Sequence, residues 1–138
     1  MAQDQPFYVG QKALIDKDGK LLILNDPYLG YDLPGGKLQI GETDFEKALK
    51  REVKEETNLE IDVISPFATW YFEIPKDSRH PRAGIKVFTI SYKCKYKAGE
   101  IRLSSEHDNY IWIDKDSFTT IKNDWKSYPI IEKYFSYK

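Results

Sequence analysis

Residues 33–59 read LPGGKLQIGETDFEKALKREVKEETNL, and the second half of this segment has the periodicity of a helix. Phe45, Leu49 and Val53 recur at every fourth residue, so they would form one apolar stripe on a helix surface. A threonine and an aspartate, both residue types that favour N-caps, come just before the stripe. We therefore predict a helix over residues 43–57.

Three carboxylates lie close together on one side of this predicted helix. Glu52, Glu55 and Glu56 are separated by three residues and one residue, which places them within an arc of about 100°. Like charges this close destabilise a helix, and the negative end of the helix dipole is also near them. A divalent cation would reverse this repulsion, because Mg²⁺ binds carboxylate oxygens and substrate phosphates together. The alternative is a solvated acidic face paired with neighbouring lysines.

The loop ahead of the helix would add to this group of oxygens. Pro34, Gly35 and Gly36 allow bare backbone to approach the helix, and a glycine carbonyl there would supply a further ligand. Lys37 is placed to meet a phosphate group, although an exposed loop lysine is an equally good interpretation. Loop and helix together predict an oxygen-rich metal site beside a cation.

The same segment resembles the signature of the Nudix hydrolases. In that signature a glycine is followed by five residues, a glutamate, seven residues and then Arg-Glu-apolar-any-Glu-Glu-any-Gly-apolar. Gly36 and Glu42 match the first interval, residues 51–57 match the second half, and Leu59 matches the final apolar position. The chain is therefore similar to this family over about a sixth of its length, and the order of its other elements is similar too.

Two departures from the signature bear on the site. Asn58 replaces the closing glycine, which is a mild change because asparagine also adopts left-handed geometry. Eight residues separate Glu42 from Arg51, one more than in the family. An extra residue inside a helix would rotate all that follows by about 100°, so we expect the loop or the helix start to absorb it. Whether Glu42 pairs with Arg51, as in the family, is left open.

The resemblance implies a fold, a reaction and a cofactor. The fold would be α/β of the α+β type, a Nudix-like α/β/α sandwich with a mixed β-sheet packed between helices, in a single domain over residues 1–138. The reaction would be that of a pyrophosphatase, a hydrolase that cleaves the diphosphate linkage of a nucleoside diphosphate linked to another moiety. The cofactor would be Mg²⁺, with Mn²⁺ as a substitute. The implied metal ligands are Gly36, Glu52, Glu55 and Glu56, and Arg51 would join the glutamates as a catalytic residue.

A later loop carries a further candidate. Residues 105–112 read SEHDNYIW and resemble a stretch of many family members in which Glu-His precedes an aromatic-rich strand. Glu106 would act there as a general base or as an extra metal ligand. In the family the base is either a glutamate in such a loop or the first glutamate of the helix motif, here Glu52. A polar loop of this composition is also often simply solvated, so both interpretations stay open.

Composition limits the class of partner. The 138 residues carry 21 basic and 22 acidic side chains, a net charge of −1, which argues against a nucleic-acid polymer and favours a small nucleotide-like substrate. The single cysteine, Cys94, excludes an intrachain disulfide and a cysteine-based zinc cluster. We find no signal-peptide pattern and no long apolar stretch, so we predict a cytoplasmic protein without a membrane partner. Family members often form dimers, and a homodimer is left open.

The rest of the chain is predicted to consist mainly of strands. The predicted strands are Phe7–Ile15, Lys20–Leu24, the short Tyr31–Leu33, Ile61–Ile64, Trp70–Phe72, Ile85–Tyr96 and Tyr110–Ile113. A short helix is expected within Asp114–Thr120, and a second amphipathic helix over Pro129–Phe135. The loop Pro75–Gly84 contains Lys76, Arg79, His80 and Arg82, for which a solvated hairpin tip is favoured over phosphate contact.

Other functions fit the same residues. The nearest is a (d)NTP pyrophosphohydrolase of the nucleotide pool, since the signature handles the diphosphate and does not specify the rest of the substrate. A catalytically inactive Nudix-fold domain that binds or senses nucleotides is a rival of a different class. A hydrolase of RNA caps or dinucleotide polyphosphates is a further alternative, although the near-neutral charge argues against long RNA contacts.

Overall fold

The computed structural model describes residues 2–79 and 81–136, so His80 lies outside the described residues. It contains seven strands and two helices. In chain order these are β1 (Tyr8–Lys17), β2 (Lys20–Asp26), β3 (Gly30–Asp32), β4 (Gly35–Lys37), α1 (Phe45–Thr57), β5 (Glu60–Glu73), β6 (Lys86–Ala98), β7 (Asn109–Ile113) and α2 (Tyr128–Ser136). A 3₁₀ turn at Phe118–Thr120 precedes α2.

All seven strands belong to one mixed sheet. The main path runs β3-β2-β1-β6-β5, while β4 pairs with β1 and β7 pairs with β2. Strands β1 and β6 are parallel, with Tyr8 opposite Val87, and the other pairs are antiparallel. This arrangement confirms the predicted mixed sheet and the α+β class.

Each face of the sheet is covered by one helix. Successive side chains of a strand point to opposite faces, and β1 shows this clearly. Ala13 and Ile15 pack with Leu49 and Val53 of α1. Leu14 packs on the other face with residues of α2, such as Ile131. The core layer that contains Leu49 and Val53 fixes α1 against the sheet, and this helix carries the carboxylates. Within the described part of the chain, neither helix is long and apolar enough to cross a bilayer.

Helix α1 confirms the prediction made from its apolar stripe. Asp44 is the N-cap, and its Oδ1 accepts a hydrogen bond of 3.1 Å from the backbone N–H of Lys47. Asn58 ends the helix in left-handed geometry, with φ of 66°. Because the helix runs without interruption from its cap to its end, the extra residue relative to the signature is absorbed ahead of Phe45.

Two segments that were predicted as strands are strands, but the prediction that they are separate was wrong. Ile61–Ile64 and Trp70–Phe72 are parts of one long strand, β5, which continues through Pro66 with register shifts on either side of it. Proline is tolerated there because β5 is the last strand of the sheet path and, among residues 2–79 and 81–136, pairs with β6 alone. Strand β4 was not predicted from the sequence, because two of its three residues are glycines, which are depleted in strands.

Candidate metal and phosphate site

The backbone of Gly35 and Gly36 in β4, called the glycine loop below, lies directly against carboxylates of α1. The N–H of Gly35 donates a hydrogen bond of 2.7 Å to Oε1 of Glu56. At Gly36, a Cβ atom would lie 2.7 Å from Oε2 of Glu52, which is closer than real side chains approach. The ladder with β1, in which Gly36 is opposite Gln11, holds this backbone in place. Bare backbone and two carboxylates therefore share one small space.

Arg51 contacts three glutamates, one in the loop before α1 and two on the helix itself. Its Nε and Nη2 donate to the two oxygens of Glu42 at 2.8 and 2.9 Å. Nη2 also contacts Glu52 at 2.8 Å, and Nη1 contacts Glu55 at 3.0 Å. These bonds raise the pKa of Arg51 and lower that of Glu42. Glu42 and Arg51 thus pair in a bidentate manner despite the extra residue between them.

The three helix carboxylates are not equivalent. The Glu55 side chain is 59% exposed and is held by Arg51, whereas that of Glu52 is 16% exposed. Glu56 is buried, and its second oxygen, Oε2, points towards His107. Glu52 and Glu56 therefore line the space beside the glycines, while Glu55 lies at its rim.

Burial dominates the electrostatics of Glu56. It raises the pKa of this carboxyl to about 8, although the charge of Lys12 and the N–H of Gly35 act in the opposite direction. The nearby charges of Asp32 and Glu52 raise the pKa further. A carboxyl in this environment holds its proton up to slightly alkaline pH unless a cation replaces the proton.

The loop between β6 and β7 brings two more donors to Glu56. Single ligand atoms of Glu56, Glu106 and His107 all lie within 4.8 Å of one another. Glu106 is exposed, whereas His107 is buried. The loop is fixed to the end of α1, because the N–H of Ser104 donates to the carbonyl of Glu56 at 3.1 Å. The structure thus places Glu106 beside Glu56.

Lys12 of β1 is a residue of this site that sequence reasoning missed. Its Nζ forms a 2.9 Å ion pair with Asp32 and also contacts the carbonyls of Leu33 and Gly35 at 3.2 and 3.4 Å. Burial alone would lower its pKa, but the charges of Asp32, Glu56 and Glu52 outweigh burial and raise the pKa. A lysine next to the buried apolar run Ala13–Ile15 of a central strand was the signal that could have identified it.

Two further lysines lie near Lys12, and the charge of Asp32 acts on both by raising their pKa values. The pKa of Lys37, on β4, is lowered by burial and by the positive charges of Arg82, Lys12 and Lys126. The pKa of Lys126 is lowered by burial, and the charge of Lys12 also lowers it. The Nζ of Lys126 lies 4.0 Å from the centre of the Phe72 ring. Lys126 precedes α2, and nothing in the sequence pattern marked it.

The donor set fits a divalent cation. Carboxylate and carbonyl oxygens are the ligands that hard cations take, and Gly36 leaves no side chain between its backbone and Glu52. Of the ligands proposed from the sequence, Glu52 lies against Gly36 and Glu56 is bonded to the N–H of Gly35, whereas Glu55 is exposed and bonded to Arg51. The ligand atoms that lie within 4.8 Å of one another among the described residues belong to Glu56, Glu106 and His107, so the set of ligands stays a prediction.

Comparisons with known proteins agree with this geometry. Residues 11–134 match the NUDIX domain family. A MutT protein from Methanosarcina mazei Go1 is 25% identical, with a TM-score of 0.75 over 98% of this chain and 94% of that chain. The ORF135 protein of E. coli is 20% identical, with a TM-score of 0.73 over 94% and 89% of the two chains. An ADP-ribose pyrophosphatase from Streptococcus suis is 24% identical, with a TM-score of 0.60 over 79% and 75%. No curated protein sequence matches the chain.

Proposed function

This chain belongs to the Nudix family of pyrophosphohydrolases, and from that premise we propose that it is a Mg²⁺-dependent hydrolase of a nucleoside diphosphate linked to another moiety. One observation carries the proposal. Glu52 and Glu56 lie against the bare backbone of Gly35 and Gly36, and Arg51 holds Glu52 in place. Carboxylates in this arrangement bind a cation that a diphosphate also contacts.

In the proposed mechanism, the residues of the site have separate roles in hydrolysis. Cations bound by Glu52, Glu55, Glu56 and the Gly36 carbonyl would neutralise the diphosphate and lower the pKa of a bound water. Either Glu52 or Glu106 accepts the proton of the attacking water. Lys37 binds a phosphate oxygen and Arg51 fixes the glutamates. Water adds to one phosphorus as the bond to the bridging oxygen breaks, so both products carry phosphate.

The wider setting is also part of the proposal. We propose one hydrolase domain over residues 1–138 that acts on a small nucleotide-like substrate in the cytoplasm, with no nucleic-acid polymer as partner. Free, buried Cys94 is compatible with reducing surroundings. A homodimer remains a secondary proposal that rests on the family alone.

A second candidate, hydrolysis of (d)NTPs, is favoured by the excess positive charge beyond the metal ligands. Lys37 is partly buried and Lys126 is exposed, and the charges of Asp32 and Lys12 act on both of them. A third phosphate would match this charge, whereas a neutral sugar would not. The S. suis relative is called an ADP-ribose pyrophosphatase and the M. mazei relative a MutT protein, so the names of similar structures leave both candidates in place.

A substrate panel tests the proposal. Nucleoside diphosphate sugars, dinucleotide polyphosphates and (d)NTPs are incubated with the protein and Mg²⁺, and phosphorylated products are measured. We expect Glu56→Gln and Glu55→Gln each to reduce turnover by at least about tenfold, because each removes a charge that holds the cation. Glu46→Gln is the matched control, since Glu46 is on the same helix but pairs with Lys50 on its outer side.

Three results would contradict this proposal. Full activity in a chelator, or in the double variant of Glu55 and Glu56, would remove the metal mechanism. Metal-dependent nucleotide binding without product across the whole panel would indicate a sensing domain in place of an enzyme.

A further inference from the structure

We propose that His107 and Glu106 join Glu56 as ligands of a cation, so that this chain has one nitrogen donor in its metal site and binds first-row transition ions in preference to Mg²⁺. The inference rests on the metal-binding part of the proposed function. It adds a residue and a metal preference that the glutamate signature does not contain.

The first observation is an unpartnered nitrogen. The His107 side chain is 5% exposed, and its Nδ1 is buried without a hydrogen-bond partner among the described residues. Buried polar atoms in folded proteins almost always have a partner, so an orphan of this kind needs an explanation. A cation at the site would supply the missing partner.

The second observation is where that nitrogen points. Nδ1 of His107 lies 4.0 Å from Oε2 of Glu56. That separation is too long for a hydrogen bond. It suits two ligands of one ion, because a cation about 2.1 Å from each atom bridges atoms up to about 4.2 Å apart. Glu106 offers an oxygen within 4.8 Å of both.

The third observation is that the backbone holds His107 from two sides. Its N–H donates to the carbonyl of Ser104 at 3.3 Å, and Ser104 is itself bonded to the end of α1. On the other side, the N–H of Asp108 donates to the carbonyl of Asn25 in β2 at 3.1 Å. The imidazole is therefore positioned by the same helix that carries Glu56, as a preorganised ligand requires.

A nitrogen donor changes which ions the site prefers. Mg²⁺ favours oxygen ligands and water, whereas imidazole suits transition ions, and affinity rises along the series from Mn²⁺ towards Cu²⁺. We therefore expect Mn²⁺ and Co²⁺ to bind more tightly than Mg²⁺, by at least about tenfold for Co²⁺.

The direct test needs no variant. In the full-length protein loaded with Mn²⁺, pulsed electron paramagnetic resonance is expected to show modulation from a coordinated imidazole nitrogen. Absence of that modulation would overturn the proposal. Because this readout requires no turnover, an inactive protein with a coordinated nitrogen would contradict the proposed hydrolysis alone.

Calorimetric titration with Mg²⁺, Mn²⁺ and Co²⁺ separates a ligand from a positioning residue. We expect His107→Ala to weaken Co²⁺ and Mn²⁺ binding by about tenfold or more and Mg²⁺ binding by less than about threefold. His107→Asn retains a donor for Glu56 but is a poor ligand, so it should behave like the alanine variant. Equal losses for all three ions, restored by asparagine, would show that His107 only orients Glu56. Ser105→Ala, in the same exposed loop, is the control.

Discussion

Gly35 and Gly36 are adjacent, yet a side chain would meet different neighbours at each. At Gly35, φ is +135° and a Cβ would overlap the backbone carbonyl oxygen of Gln11. At Gly36, the three atoms nearest to the Cβ would be those of the Glu52 carboxylate, the far end of a flexible side chain. The first glycine is needed for the fold, and the second for the position of a ligand.

This difference predicts opposite outcomes for two neighbouring variants. We expect Gly35→Ala to yield little folded protein, because the backbone of Gln11 in β1 cannot move away from the added methyl group. We expect Gly36→Ala to keep its melting temperature within a few degrees but to lose turnover by about tenfold or more, since Glu52 must swing away. Circular dichroism and activity measurements check both. A fully active Gly36→Ala protein would show that turnover does not require Glu52 to lie against Gly36.

Glu56 predicts a pH dependence of stability in a chelator. Its pKa in the folded protein is about 8, above its ordinary value of 4.5, so the folded state favours the protonated form. The stability that this proton provides is fully present below about pH 4.5 and is lost as the pH rises through about 8. Glu56→Gln mimics the protonated form, and we expect it to exceed the wild-type melting temperature by a growing margin between pH 5 and pH 8.5.

The control for this pH series is Glu46→Gln, which changes an exposed glutamate on the same helix. It should follow the wild type at every pH. A constant difference between Glu56→Gln and the wild type across the series would show that Glu56 is not protonated near neutral pH in the folded protein.

The sequence predicted some site residues and missed others for a physical reason. Glu52 and Glu56 were identified because a helix converts spacing along the chain into position on a face. His107, Lys12 and Lys126 reach the site through the packing of strands and loops that are far apart in sequence. Only His107 was near a recognised motif, and that motif drew attention to its neighbour, Glu106.

At the scale of elements, the register of α1 decides whether the carboxylates face the glycine loop. The helix begins at Phe45, so the loop before it takes up the extra residue, and Arg51 still reaches Glu42. The helix was predicted from the sequence, but the position at which the extra residue is absorbed was not. The split of β5 into two predicted strands had a similar cause, because the tolerance of Pro66 depends on a free sheet edge.

This register predicts the effect of two changes in chain length. Deletion of Thr43 restores the seven-residue interval, and we expect turnover to stay within about threefold, since loops absorb such changes at low cost. Insertion of an alanine between Val53 and Lys54 rotates Glu55 and Glu56 by about 100° relative to Glu52 and should abolish measurable turnover. Helical content from circular dichroism shows whether each protein is folded. An active insertion variant would contradict the role of helix register.

For the whole molecule, acidic and basic side chains are grouped around one short strand, β4. The carboxylates of Glu52 and Glu56 lie against its glycines, and both raise the pKa of Lys12, which contacts the carbonyl of Gly35. The near-neutral total charge concealed this grouping, because acidic and basic residues cancel in the sum. In the proposed function, cations on the carboxylates and the neighbouring lysines would both contact a polyanionic substrate.

The lysines therefore predict substrate discrimination. We expect Lys126→Ala to raise KM for a (d)NTP by about tenfold, as for loss of a charged hydrogen bond, and KM for a nucleoside diphosphate sugar by much less. Steady-state kinetics with both substrates check this, and Lys115→Ala is a control at an exposed lysine outside the cleft. Equal effects on both substrates would contradict a subsite for an extra anionic group.

The parallel pairing of β1 with β6 has a consequence for biosynthesis. Tyr8 leaves the ribosome early, but its partner Val87 is made only after the whole of α1 and β5. Long-range pairing of this kind closes a large loop and slows folding. A nascent chain that stops before Lys86 has its helix and glycine loop but lacks the central strand between β1 and β5. Translation must therefore pass Ala98 before β6 can complete the sheet that supports the site.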